Sequence, residues 1–265
     1  MKSKILVEFH GWQFHYFTFS LIIKVLRKKF DAEILSYSTL SRFFLENKFF
    51  KMSNSIKWII GNFLNLKTFK IFKSIGIEKL FKPDIKIRHK KKAELYFNSF
   101  FKKTKITKFD VCNFKVKNVL VGDILYDSFL KTENFITIDL SSKVFKEFLK
   151  NFLSLFFFWE EYFLLNKIKA VVVCHSTYLS AIPLRLATMK GIKAIVVEHD
   201  RIWQLNKEIT HTHKEYLLYK KIFKSFSEYK KKKSILIAQK EIQKKLNGKL
   251  KMVRGLKKQN SLKKI

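Results

Sequence analysis

The sequence predicts an α/β fold: a doubly wound, mostly parallel sheet with a helical insert and a helical C-terminal extension. Three observations predict it. Residues 169–199 run from a β-branched apolar stretch, Ala170 to Cys174, through a polar break at His175-Ser176-Thr177. Apolar positions at helical spacing follow (Leu179, Ile182, Leu186, Met189), then Gly191 and a second β-branched run from Ile192 to Val197. Short runs of this kind bounded by turn residues are strands buried on both faces, and strand–helix–strand order implies a right-handed parallel crossover. The N-terminus repeats the pattern, and a long amphipathic segment at 143–166 leads straight into the strand at 170.

Taken in order, residues 4–9 form the first strand, His10-Gly11 the turn, residues 14–29 a helix and residues 33–37 a second strand. The apolar positions 14, 17, 21, 25 and 18, 22, 26 supply the helical period. The turn holds one glycine, so it is no G-x-G-x-x-G dinucleotide fingerprint, and a nicotinamide cofactor is not expected. Residues 40–108 read as a mostly helical insert, broken at Ser53-Asn54-Ser55, Gly76 and Pro83. Its charge block Arg88-His89-Lys90-Lys91-Lys92 reads as a solvated face. Residues 119–121 form a short strand, Gly122 a tight turn, and Asp123 stands where a carboxylate caps a new helix. Ser141-Ser142 caps the helix at 143–166, whose stripe Phe145, Phe148, Leu149, Phe152, Phe156, Trp159, Phe163 is a core face. Ser176 or Thr177 is expected to cap the helix after the strand at 170, and Gly191 to end it. Beyond His199, residues 214–226 and 234–247 read as helices around the basic run 230–233, followed by a basic tail. The expected division is a domain at 1–200 with its insert at 40–108, a helical extension at 201–250 and the tail at 251–265.

The 55 Lys+Arg against 21 Asp+Glu give a formal charge of +34, which favours an anionic partner. Lys, Phe, Ile and Asn share A/T-rich codons, so base composition is an equal source of this excess. Two cysteines, Cys112 and Cys174, form no disulfide framework and no paired metal spacing. Cys174 reads as a small core hydrophobe. Glu8 and His10 interrupt any signal-peptide core, and the most apolar later stretch, 152–159, is too short to span a bilayer. A cytoplasmic protein is expected.

If the strands are parallel, four loops share one sheet edge: His10-Gly11, Gly122-Asp123, His175-Ser176-Thr177 and Glu198-His199-Asp200-Arg201. Ligands of open parallel sheets bind beyond that edge. His175 can serve as a general base toward a hydroxyl or as an anion contact. Asp123, with Asp127 one helical turn later, can orient a hydroxyl, although a cap and a solvated face are the duller readings. Arg201 can pair with a phosphate. His211 and His213 stand two apart in a Thr-rich loop with no Cys or carboxylate at metal-site spacing, so little there points to a metal site.

At these residues a resemblance appears. Gly122-Asp123-Ile124-Leu125-Tyr126-Asp127-Ser128-Phe129-Leu130 resembles the "GDLIYDSYLR" run of surface and capsular polysaccharide biosynthesis proteins. His175, Tyr178, Ala181, Arg185 and Ala187, with Gly191 after them, resemble that family's strand-end His, Tyr, small residue and "R-x-A". The stretch from Arg201 through Thr210-His211 to Leu246-Asn247-Gly248 resembles its closing segment, without the Arg before the last Leu-x-Gly, and Pro183 stands where the family often has a small residue. The resemblance covers roughly residues 4 to 250. It implies a GT-B-type glycosyltransferase with a Rossmann-like, acceptor-side N-terminal domain, which moves a sugar from a nucleotide-sugar donor to a glycan or lipid-linked glycan. The donor lies mainly on a second domain in that architecture, so this chain is expected to be the N-terminal half of the enzyme. His175 and Asp123 are the expected catalytic residues. His10, Gly11, Gly122, Asp127, Ser176, Tyr178, Arg185, His199 and Arg201 are the expected substrate contacts. No cofactor besides the donor is expected, and peripheral association with the inner membrane face is. The alternative is a non-catalytic basic module for nucleic acid or an anionic membrane surface, although no nucleic-acid motif is present.

Overall fold

A six-stranded sheet in the order β3-β2-β1-β6-β7-β8 organises the chain, with β1 (Ser3–Phe9) and β6 (Ile168–Val173) side by side at its centre. The computed structural model describes residues 2–10, 14–38, 56, 58–102, 106–133, 135–198, 201–212 and 216–247. Gly11, Ser53-Asn54-Ser55, His199, Asp200, His213, Gly248 and the tail at 251–265 lie outside the described residues. The chain divides into two units, Met1–Thr212 and His213–Ile265.

In the first unit β1 pairs in parallel with β2 (Ala32–Ser38) and with β6. Parallel pairs continue outward to β3 (Lys79–Phe81) on one side and β7 (Lys193–Val197) on the other. One edge strand, β8 (Ile202–Leu205), runs antiparallel to β7. The fold is therefore α/β with a mostly parallel, Rossmann-like sheet, as the sequence predicts. Two strands depart from expectation. β3 lies inside the segment read as a helical insert, and its three residues are too few to show a period. β8 lies inside the segment read as a helical extension, because its alternation is short and its residues are largely exposed.

The pleat explains how one strand serves two cores. Along β1, Ile5 and Val7 face one cluster while Leu6 faces the other. Along β6, Ala170 and Val172 join the first cluster, Val171 and Val173 the second. The first face is covered by α1 (Phe14–Phe30), through Phe19, Ile23 and Leu26, and by α2 (Lys67–Ser74), through Phe69 and Phe72. The second face carries α3 (Ile87–Phe101), the short α4 (Lys108–Cys112), α5 (Gly122–Glu133), α6 (Lys143–Leu165) and α7 (Ala181–Met189). The aromatic stripe of α6 is buried throughout, and the Ser142 hydroxyl caps the helix by accepting from the Phe145 N–H at 3.1 Å. Gly191 (φ 68°) ends α7: its N–H reaches the Thr188 carbonyl and that of Ile192 the Ala187 carbonyl, the two bonds of a Schellman motif.

The strand expected at 119–121 does not join the main sheet. β4 (Lys115–Val116) and β5 (Val119–Leu120) form a separate hairpin closed by Lys117 and Asn118, both at positive φ. The Gly122-Asp123 loop is thus no part of the main sheet's carboxyl edge. Gly122 makes no turn of its own; it begins α5 pressed against backbone. A Cβ there would lie 2.0 Å from the Val111 carbonyl oxygen. The second unit contributes α8 (Tyr216–Lys224) and α9 (Glu228–Leu246). Among the described residues no helix is long and apolar enough to cross a membrane.

Candidate functional site

The strand order reverses direction between β1 and β6, and in open parallel sheets the ligand crevice lies past the carboxyl ends of strands at such a point. His10 follows β1 there, and Cys174 and His175 follow β6. His15, the second residue of α1, is buried beside them. The ring centroids of His10 and His175 lie 5.9 Å apart, and His15 sits 5.6 Å from His10 and 6.4 Å from His175. Three imidazoles therefore meet at one point, although they are separated by up to 165 residues of chain.

The surroundings combine a buried carboxylate with a nearby amine. Glu8, the penultimate residue of β1, is buried and accepts from the Cys174 backbone N–H at 2.7 Å. The Cys174 thiol also donates to Glu8; burial first, then this carboxylate, push the thiol far up. Lys131, on the last turn of α5, lies over the Tyr178 ring at 3.7 Å and its charge acts on His10, His175 and Cys174. Burial holds His10 down to about 4, helped by the charges of His175, His15 and Lys131. Burial also lowers His175, with Lys131 and His15 adding to it, while Glu198 and a bond to the Cys174 carbonyl oppose them. At neutral pH both imidazoles are neutral, and each then keeps one nitrogen lone pair.

The other expected residues are distributed as follows. Ser176 caps no helix; its buried hydroxyl is 3.0 Å from that of Thr212 and accepts the Thr212 N–H at 3.2 Å. The helix starts later, at Ala181, because Tyr178 turns the chain through positive φ (61°). Tyr178 thereby comes under Lys131. Arg185 is buried in α7 and grips Asp123 with both terminal nitrogens (2.7 and 3.3 Å) as well as the Leu120 carbonyl at 2.8 Å. Asp123 and Arg185, read as hydroxyl-orienting and substrate-binding groups, thus hold each other and join α5 to α7. Asp127 is at the surface one turn on, its carboxyl raised by partial desolvation and then by Asp123. Arg201 is exposed, with its guanidinium 5.5 Å from the Trp203 ring centroid; the Trp203 indole N–H donates to Glu198 at 2.9 Å.

Sequence reading missed Glu8, His15, Cys174 and Lys131 as members of this site. The alternation of β1 hides Glu8, and α1 offers no signal that His15 points back at the sheet edge. Lys131 was legible as the next residue after the 122–130 run, two turns beyond Asp123 on the same helical face. Compared with family models, curated proteins and solved structures, the chain finds no match.

Proposed function

We propose that this chain is the acceptor-side domain of a glycosyltransferase of cell-surface, capsular polysaccharide synthesis. In this reading an acceptor hydroxyl enters the crevice between β1 and β6 and gives its proton to His175. Its oxygen bonds to the anomeric carbon of the donor sugar as the bond from that carbon to the nucleotide breaks, and the nucleotide leaves with the electron pair. Lys131 and the Tyr178 ring line the approach and suit a phosphate-linked acceptor. The nucleotide-sugar is the only co-substrate the reaction needs, bound chiefly by a second domain. The observation that carries the reading is the convergence of His175, His10 and Lys131 at the point where strand order reverses. The resemblance of residues 122–130 and 175–191 to polysaccharide biosynthesis proteins supports it.

The test supplies the protein, together with a donor-binding partner domain, with radiolabelled nucleotide-sugars and with polyprenyl-phosphate-linked glycans in bacterial lipid extract. Label is expected to enter the lipid fraction, and His175→Gln to lower its rate by about 10²–10⁴-fold, the range for general acid–base catalysis. A folded His175→Gln protein with an undiminished rate removes the assigned base. A basic docking module for an anionic membrane surface is the second reading, supported by the net charge of +34. No incorporation from any donor, with vesicle binding indifferent to His175→Gln, favours it.

A further inference from the structure

The same crevice contains a donor set of which the transfer reading uses only the two histidines. Among the described residues, His10, Cys174 and His175 are the one group of three such side chains whose ligand atoms all lie within 4.8 Å of one another. Two are half-buried at the mouth and one is fully buried behind them. An imidazole, thiolate, imidazole set is that of zinc, whose bonds of about 2.0–2.3 Å put ligand atoms roughly 3.3–3.6 Å apart in a tetrahedron. Small side-chain rotations close the three onto an ion.

We propose that His10, Cys174 and His175 form a zinc site, with water in the fourth position. On binding, the Cys174 S–H bond breaks, the Zn–S bond forms and the proton passes to solvent, as metal binding to a thiol requires. Glu8, which accepts the Cys174 N–H at 2.7 Å, is the outer-shell carboxylate that holds the Cys174 backbone and balances the ion's charge; its bond from the thiol is lost with the proton. The Cys174 carbonyl accepts from one His175 ring nitrogen, which directs the other to the metal. His15 lies within one ring's reach of both histidines and closes the inner side. Lys131 is the one opposing charge, and its amine, on an exposed side chain, can swing toward solvent. Three ligands from two separate strand ends make the site a product of tertiary structure. This inference does not rest on the transfer reading, because a metal on His175 and a proton accepted by His175 exclude each other.

The experiment titrates chelator-treated full-length protein with Co²⁺ and then displaces it with Zn²⁺. One equivalent of Co²⁺ is expected to give a near-ultraviolet thiolate-to-cobalt band and tetrahedral visible bands, both lost on adding Zn²⁺. Zn²⁺ alone is expected to raise Tm, since a ligand that binds only the folded state stabilises it. Cys174→Ala is expected to abolish the thiolate band, and His10→Gln to weaken Zn²⁺ by more than about tenfold, while Cys112→Ser changes neither. His10→Gln lies at the half-exposed rim and guards against a folding failure in Cys174→Ala. A cobalt spectrum without a thiolate band, or Zn²⁺ affinity unchanged in folded His10→Gln, overturns the proposal. Should transfer be found, its inhibition by one equivalent of Zn²⁺ is expected, and failure of the transfer assay leaves the metal titration unaffected.

Discussion

His89 stands three residues into the amino end of α3, and its Nδ1 accepts the Lys86 backbone N–H at 3.0 Å. Its Nε2 lies 3.3 Å from a Glu161 oxygen, and Arg88 pairs with the same carboxylate. Reading residues 88–92 as a solvated block therefore holds for Arg88, Lys90, Lys91 and Lys92, all exposed, and fails for buried His89, which with Arg88 docks α3 on Glu161 of α6. A protonated Nδ1 could no longer accept the capping bond, and burial lowers His89 despite Glu161. Below the ordinary imidazole value of about 6.5 the unfolded chain takes up a proton that folded His89 refuses, so stability is lost as pH falls through that value. Gln at this capping-box position keeps an acceptor without titrating. Urea denaturation between pH 7.5 and 5.5 is expected to show His89→Gln losing less stability than the parent; equal losses would place the pH sensitivity elsewhere.

At the scale of elements, α5 shows how a sequence motif can acquire a structural use. Gly122 allows the helix to start against the carbonyls of α4, and Asp123 one residue later locks it to Arg185 of α7. Removing one member of a buried ion pair leaves the other uncompensated, at a cost of about 3–5 kcal/mol. Asp123 is about a third exposed and Arg185 keeps its bond to Leu120, so the lower end applies. Asp123→Ala is expected to destabilise the fold by about 3 kcal/mol in guanidinium denaturation. A loss of transfer in Asp123→Ala without loss of stability would restore the hydroxyl-orienting role. On α6 the stripe of seven apolar positions needs no such test of meaning, because every member is buried. Phe152→Ala, which empties a fully buried site, is expected to cost about 3–5 kcal/mol by the same measurement.

At the scale of the whole molecule, the excess of 34 positive charges acts independently of the crevice. Charge of this kind speeds and strengthens association with polyanions, and the effect falls as salt screens it. Binding to vesicles containing phosphatidylserine is expected to weaken steeply between 50 and 200 mM salt, at roughly 1 kcal/mol per basic residue engaged at the surface. Neutral phosphatidylcholine vesicles are expected to bind little. Equal sedimentation with both lipids would detach the charge from any membrane role. The net charge was legible from composition; where the lysines act was not, because a count of charges has no direction.

By itself the sequence determined the α/β class, the two crossover units, the α6 core stripe, the Ser142 cap and the Gly191 stop. Each of these is local: a period, a capping hydroxyl or a glycine at positive φ is written within a few neighbouring residues. It also brought His10 and His175 to one sheet edge, since both follow parallel strands. Only the tertiary structure decided that β1 and β6 are adjacent, that Glu8 backs Cys174, that His15 and Lys131 close the crevice, and that Asp123 and Arg185 hold each other. Those relations depend on strand order and helix docking, which join residues from some forty to more than a hundred and sixty positions apart and leave no periodic trace along the chain.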